Sequence, residues 1–306
     1  MTPPEIENIL NMPLDRLLLK AGQVRRENAS TEIELCGIVN AKSGRCGEDC
    51  KFCAQSARHN TDIPEYSLKS KDEIVNAAKK AQENGAAKFG IVTSGNRLTL
   101  DEVKEVAEAV KEIADNLEIT PCASLGALDE ESFTILKDAG LVRYHHNIET
   151  SERFYPSIVS THEYSERVGT VKMAKKAGLE VCSGGIIGLG ETWQDRMDMA
   201  LLLKELDVDS VPLNFLVPIK GTPMEGVEKM SPMDAIKTIA LFRIILPDKT
   251  IKIAAGRESV LKDYQALIYM AGANGMMIGG YLTVRGRSVD EDLALVKEVR
   301  RSWNEG

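Results

Sequence analysis

The sequence predicts a closed (β/α)8 barrel of the TIM type, preceded by a helical extension, and three observations carry that prediction. Eight short apolar runs rich in β-branched residues alternate with eight longer stretches of helical period. Helical stretches end repeatedly in glycine just before the next apolar run, as at Asn84-Gly85, Ala139-Gly140 and Ala177-Gly178. No proline-rich linker, low-complexity tract or block of like charge divides the chain, and 306 residues is a length that one α/β barrel fills. An open doubly wound sheet is the second choice for the same alternation.

The expected strands are 34–40 (ELCGIVN), 88–93 (KFGIVT), 118–123 (EITPCA), 142–148 (VRYHHNI), 180–187 (EVCSGGII), 210–215 (SVPLNF), 250–254 (TIKIA) and 275–279 (GMMIG). Helices are expected at 70–84 and 99–116, each opened by a hydroxyl N-cap with an acid close behind it. Further helices are expected at 129–139, 165–177, 194–206, 231–246, 261–271 and 290–303. Residues 3–26 read as helical but stand outside the repeat, so they should pack over the bottom or the side of the barrel. The expected organisation is an extension over 1–30 and a barrel with its C-terminal helix over 31–306.

Hydrophobic residues make up 43% and charged residues 27%, which suits a folded chain rather than a disordered one. With 38 basic against 46 acidic residues the net charge is −8, which argues against a nucleic-acid footprint or docking on anionic lipid. The longest apolar stretch, 238–246, is interrupted by Arg243 and is too short to span a bilayer. The opening MTPPEIENIL lacks the basic-then-apolar order of a signal peptide, so a cytoplasmic protein is expected.

In that compartment the six cysteines point to metal rather than to disulfides. Cys46, Cys50 and Cys53 form C-x3-C-x2-C on the loop after the first strand, whereas Cys36, Cys122 and Cys182 are scattered. Three thiolates on one tight loop suit an iron–sulfur cube with one iron left free. Structural zinc wants four ligands, commonly as two C-x2-C pairs, and no fourth Cys or His follows at that spacing. Cys36, Cys122 and Cys182 fall on the first, third and fifth strands and Lys252 on the seventh. Alternate strands fill one interior layer of a barrel, so these four side chains can share a layer. Buried cysteine as a small apolar filler is the plainer alternative.

C-x3-C-x2-C at the top of a barrel's first strand, with an aromatic before the last cysteine, resembles the radical S-adenosylmethionine (SAM) superfamily. Six further words, in order, resemble the biotin synthase family: 47–56 (GEDCKFCAQS), 144–150 (YHHNIET), 181–192 (VCSGGIIGLGET), 211–223 (VPLNFLVPIKGTP), 255–258 (AGRE) and 270–274 (MAGAN). The resemblance implies a [4Fe–4S] cluster on Cys46, Cys50 and Cys53 whose free iron binds SAM. It implies SAM contacts from Gly184, Gly185, Gly188, Asn147, Glu149 and Arg167, and dethiobiotin contacts from Asn147, Asn214 and the position of His145. It also implies sulfur insertion into dethiobiotin, a flavodoxin- or ferredoxin-type reductant and a homodimer. The glycines also read as a tight strand–helix turn, Glu149 as a helix cap and Arg167 as a surface arginine. Arg257 reads as a barrel-rim ion pair, and His145 and His146, adjacent on a strand, face opposite ways.

The chain departs from the family at the second cluster. Family members hold [2Fe–2S] on three cysteines and an arginine from strands two, three, five and seven. Here Cys122 and Cys182 match, but Gly90 stands at the strand-two position, Lys252 at the arginine, and Cys36 is extra. His145 replaces a usual asparagine. Three thiolates suit a second [4Fe–4S]-type cube whose free iron carries an exogenous sulfide, with Lys252 as a neighbour rather than a ligand. The alternatives are a methylornithine-synthase-like or hydrogenase-maturase-like enzyme, or an electron carrier without substrate.

Overall fold

The computed structural model of the chain describes residues 3–283 and 286–304, so residues 1–2 of the expected extension and 284–285 and 305–306 of the expected barrel lie outside the described residues. Two helices come first, α1 (Pro3–Leu10) and α2 (Leu14–Asn28). The alternation follows: β1 (Glu34–Lys42), α3 (Lys71–Glu83), β2 (Lys88–Thr93), α4 (Leu100–Asn116), β3 (Thr120–Ser124), α5 (Glu130–Asp138), β4 (Arg143–His145) and α6 (Tyr164–Lys176). The second half is β5 (Glu180–Cys182), β6 (Gly185–Ile187), α7 (Trp193–Glu205), β7 (Ser210–Phe215), α8 (Pro232–Ile245), β8 (Thr250–Ile253), α9 (Arg257–Leu261), α10 (Leu267–Met270), β9 (Gly275–Met277) and α11 (Val289–Asn304).

Helix starts lie where the sequence signals put them. Ser70 with Glu73 and Thr99 with Glu102 form capping boxes, and Thr192 with Asp195 forms a third. Each cap satisfies orphan backbone N–H groups and is worth about 0.5–2 kcal/mol. Gly85, Gly140 and Gly178 stop α3, α5 and α6 in the left-handed conformation.

All strands are parallel. β1 pairs with both β2 and β9, and β7 pairs with β8, β6 and, at Cys182↔Ser210, with β5. The sheet therefore closes on itself, and the open doubly wound alternative is excluded. The expected fifth strand, 180–187, is broken into β5 and β6. Extending the register Gly185↔Leu213 sets Gly184 opposite Pro212, which has no N–H to give the ladder. A Cβ on Gly184 would lie 2.0 Å from the Pro212 carbonyl oxygen. The fourth strand is also shorter than expected, because the chain leaves the ladder after His145 and Glu149 takes a left-handed conformation, φ 70°.

The expected helix 261–271 is likewise interrupted. Lys262 turns left-handed (φ 48°), and the break brings Gln265 to accept a hydrogen bond from the Arg257 guanidinium. Arg257, just past the end of β8, forms the expected ion pair, in a fully buried setting: it lies 2.5 Å from Asp292 on α11, itself fully buried. The extension lies along the side of the barrel, with Leu17, Ala21 and Arg25 of α2 buried and α2 packed on α8 and α10. That cover explains the apolar stretch 238–246, which is buried throughout α8. Arg243 within it is satisfied by the Gly272 and Pro247 carbonyls and Asn274 Oδ1, each at 2.8 Å. Among the described residues no helix is long and apolar enough to cross a membrane.

Arg257→Met leaves the Asp292 carboxylate buried without its cation. The expected loss is about 3–5 kcal/mol, read as a fall in the denaturation midpoint. An unchanged midpoint would show that the pair does not tie α11 to the barrel.

Candidate functional site

The loop that leaves β1 is shaped before any ligand is considered. Gly44 (φ 76°) and Arg45 (φ 54°) turn left-handed, and the Cys46 N–H donates to the Gln55 carbonyl at 3.0 Å. The loop is then latched to the segment after β4. Asp49 Oδ1 accepts from the Ser160 N–H (2.9 Å), the Thr161 N–H (3.2 Å) and Thr161 Oγ1 (3.0 Å), and Asp49 Oδ2 accepts from Ser160 Oγ. Its partial burial acts the other way, but these donors hold its carboxyl far below the ordinary range. Beside it, Glu48 Oε2 and His162 Nδ1 lie 2.7 Å apart. Nothing in the sequence flags His162, but the Glu-Asp pair between the first two cysteines is the signal that could have found this latch.

Cys46, Cys50 and Cys53 are free thiols facing one cavity of about 170 Å³, whose lining includes Asn147, Glu149 and Arg167. Burial pushes Cys50 up to about 12 and Cys53 to about 11. Thiolates at those positions therefore need a cationic partner such as iron. Among the described residues no three His, Cys, Asp or Glu side chains converge on one metal-ion position. Three thiols round one cavity suit a cube, which takes its thiolates at separate irons.

Arg167 is not a surface arginine. Its Nε donates to the Tyr155 hydroxyl at 2.8 Å and Nη1 to the Asn147 carbonyl at 3.0 Å, and Nη1 lies 3.5 Å from Glu149 Oε1. Glu149 caps no helix; its backbone forms a bridge with Gly185. Asn147 Oδ1 accepts from the Gly184 N–H at 3.1 Å. Gly184, Gly185 and Gly188 line neither this cavity nor its neighbour. A Cβ on Gly185 would lie 2.1 Å from the Glu149 carbonyl oxygen, so Gly185 lets Glu149 approach, as Gly184 lets Pro212 approach. The Gly188 N–H is already committed to Glu191 at 2.9 Å.

A larger cavity, about 390 Å³, adjoins the first; Cys53, His145, Asn147 and Glu149 line both. Asn214 lines it with its Oδ1 accepting from the Ala255 N–H (3.1 Å) and its Nδ2 donating to the Gly185 carbonyl (3.2 Å). Cys36, Cys122, Cys182 and Lys252 line the same cavity, together with Gly90. Burial pushes Cys36 up and Cys122 to about 12. Burial pushes Cys182 the same way, but Lys252, His145 and Arg143 outweigh it and bring that thiol down to about 6. Arg143, absent from the sequence-level candidates, thus faces the cysteine layer. Below it Glu34 accepts from Arg143 Nη1 at 2.8 Å and meets Lys252 Nζ at 2.9 Å. Against its own burial, these two cations hold the Glu34 carboxyl down at about 2.

Comparison with known proteins agrees with this layout. Residues 41–203 match the Radical SAM superfamily, and residues 212–300 match the Biotin and Thiamin Synthesis associated domain. The two matched segments are not separate bodies, since β6 pairs with β7 from Gly185↔Leu213 to Ile187↔Phe215. Biotin synthase of Thermotoga petrophila is 50% identical over 297 residues, 97% of this chain and 98% of that protein. Biotin synthase of Thermotoga neapolitana is 53% identical over 272 residues, 89% and 97% of the two chains. Among solved structures, methylornithine synthase superposes with a TM-score of 0.83 at 19% identity, over 99% of this chain and 96% of that one. The FeFe-hydrogenase maturase of Carboxydothermus hydrogenoformans gives 0.80 at 20%, over 95% and 72%. At those identities the two structures speak for the barrel alone.

Asp49→Ala removes the acceptor for the Ser160 and Thr161 donors. The expected cost is about 1–3 kcal/mol, with faster amide exchange at 46–53 and 158–162. Unchanged exchange there would show that the latch does not hold the loop.

Proposed function

The chain belongs to the biotin synthase family of the radical SAM superfamily, and from that membership we propose how its two adjoining cavities share one reaction. The enzyme converts dethiobiotin to biotin by inserting sulfur. Cys46, Cys50 and Cys53 would hold a [4Fe–4S] cluster, and Asn147, Glu149 and Arg167 would hold SAM beside it. When bound and reduced, that pair supplies a 5′-deoxyadenosyl radical, which takes hydrogen from carbon.

The chain's own residues bind and orient. Arg167 suits the SAM carboxylate and Glu149 its ribose hydroxyls, and the ion pair between them sets their spacing. Gly184, Gly185 and Gly188 act on SAM through the backbone they shape. Asn214, at the end of β7, His145, the last residue of β4, and Asn147, just after it, face the larger cavity as dethiobiotin contacts. The apolar walls at Phe52, Ile186 and Leu216 exclude water from a reactive carbon centre.

Cys36, Cys122 and Cys182 would hold the second iron–sulfur cluster, a [4Fe–4S]-type cube with an exogenous sulfide on the iron that lacks a protein thiolate. Lys252 is engaged by Glu34 and stands as a neighbour. A flavodoxin- or ferredoxin-type donor and a homodimer complete the reading. One observation carries it: the three scattered cysteines line the same cavity as Asn214 and Asn147, next to Cys53. An electron carrier would have no use for that arrangement, and a mutase or maturase would need no interior thiols.

Anaerobically reconstituted protein is expected to hold about eight irons per chain in two [4Fe–4S]-type Mössbauer signatures. Cys46→Ala, Cys50→Ala or Cys53→Ala should abolish reductive SAM cleavage. Cys36→Ala should lose one signature and biotin formation while still cleaving SAM. Biotin made by Cys36→Ala, or deoxyadenosine made normally by any of the three loop variants, would contradict the assignment.

Asn214→Ala should weaken dethiobiotin binding in the presence of SAM by about ten- to a hundredfold, from the loss of one buried hydrogen-bonding partner. Unchanged affinity by titration would remove Asn214 from the substrate contacts.

A further inference from the structure

Beneath the cysteine layer lies a second polar layer. On four strands the residue two positions before the layer points to the same interior face: Glu34 before Cys36, Lys88 before Gly90, Thr120 before Cys122 and Glu180 before Cys182. Arg143 enters from β4, in register with Cys122 on one side and Glu180 on the other. Its Nε donates to Glu180 Oε2 and its Nη1 to Glu34 Oε1, both at 2.8 Å. Lys252 reaches Glu34 at 2.9 Å, and Lys88 lies 3.5 Å from Glu180 and 4.0 Å from Glu34.

This floor carries three cations against two carboxylates, one of which, Glu180, is 42% exposed. Arg143 and Lys252 are 7% and 4% exposed. A surplus cation in a dry interior is costly unless an anion faces it. Among the described residues Arg143 Nη2 has no hydrogen bond, and Lys252 Nζ is engaged only by Glu34, while both side chains line the cavity of the three thiols. The spare donors face the place where negative charge would gather.

We infer that Arg143 and Lys252 form an anion seat for inorganic sulfide or hydrosulfide at the cysteine layer, with Glu34 and Glu180 as the positioning residues that aim them. The inference rests on the reading of a second cluster on Cys36, Cys122 and Cys182. An added sulfide raises the negative charge of a three-thiolate cube, and the cationic floor compensates that charge without supplying a ligand.

The test is acid-labile sulfide and iron analysis of reconstituted wild-type, Arg143→Gln, Arg143→Lys and Lys252→Met proteins, with the redox potential of the second cluster. Wild type should hold more sulfide than iron. Arg143→Gln should keep its iron and lose the excess sulfide, and the second cluster's potential should not become more negative, because the departing sulfide takes away at least as much negative charge as the guanidinium takes positive charge. Arg143→Lys should keep the excess. Lys252→Met carries the same expectation as Arg143→Gln and stands in for it should that variant not fold. Unchanged excess sulfide in both Arg143→Gln and Lys252→Met would overturn the seat alone. Loss of the second cluster's iron together with the sulfide would also overturn it, by assigning the floor to assembly of the cysteine layer. A wild type with only four irons would overturn the two-cluster reading itself.

Discussion

Glu34 carries the charge that allows Arg143 and Lys252 to stand inside the barrel. The two cations converge on Glu34 Oε1, at 2.8 and 2.9 Å. Barrels of this class ordinarily fill their interior with layers of branched apolar side chains. Here the lower interior is polar, and the arrangement holds because Glu34 and Glu180 meet Arg143 and Lys252 at 2.8–2.9 Å, with Lys88 3.5 Å from Glu180. Since Glu34 and Cys36 are two positions apart on β1, the carboxylate that anchors the cations also places them under the thiols. Without that carboxylate the cations would have to leave the interior, and the chamber above them would lose its floor.

The upper half of the chamber depends on interruptions in the sheet. Pro212 and Gly184 break the fifth strand, and the backbone freed there supplies the Gly184 N–H that orients Asn147. Glu149 sits at φ 70°, a conformation costly for a side chain of its size, held by its bridge to Gly185. The two groups best suited to grip a polar ligand are thus placed by departures from regular strand geometry. The Asp49 latch then fixes the cysteine loop over them through Ser160 and Thr161.

Much of this was legible in the sequence, because the signals were local. Capping residues, glycine stops and the alternation of periods gave the barrel and most helix ends. The C-x3-C-x2-C loop and the spacing of Cys36, Cys122, Cys182 and Lys252 pointed to two groups of thiols, and the structure brings the second group to one cavity. What escaped was non-local. Arg143, Glu34, Lys88 and Glu180 each read as an unremarkable charged residue at a strand end, and only barrel closure joins them. Arg167 looked exposed because its partners, Tyr155 and the Asn147 carbonyl, lie on other elements. The glycines at 184 and 185 read as a ligand-cradling turn, whereas their contacts are with Pro212 and Glu149.

The proposed reaction requires two clusters in this barrel, on two separate sets of three cysteines that line adjoining cavities. Diffraction from anaerobic crystals of the reconstituted enzyme, measured at the iron absorption edge, tests it directly. The account predicts two groups of anomalous peaks, one bounded by Cys46, Cys50 and Cys53 and the other by Cys36, Cys122 and Cys182, with Lys252 Nζ near the second but not bonded to it. A single group of peaks at the loop, with Cys36, Cys122 and Cys182 packed as thiols, would contradict it.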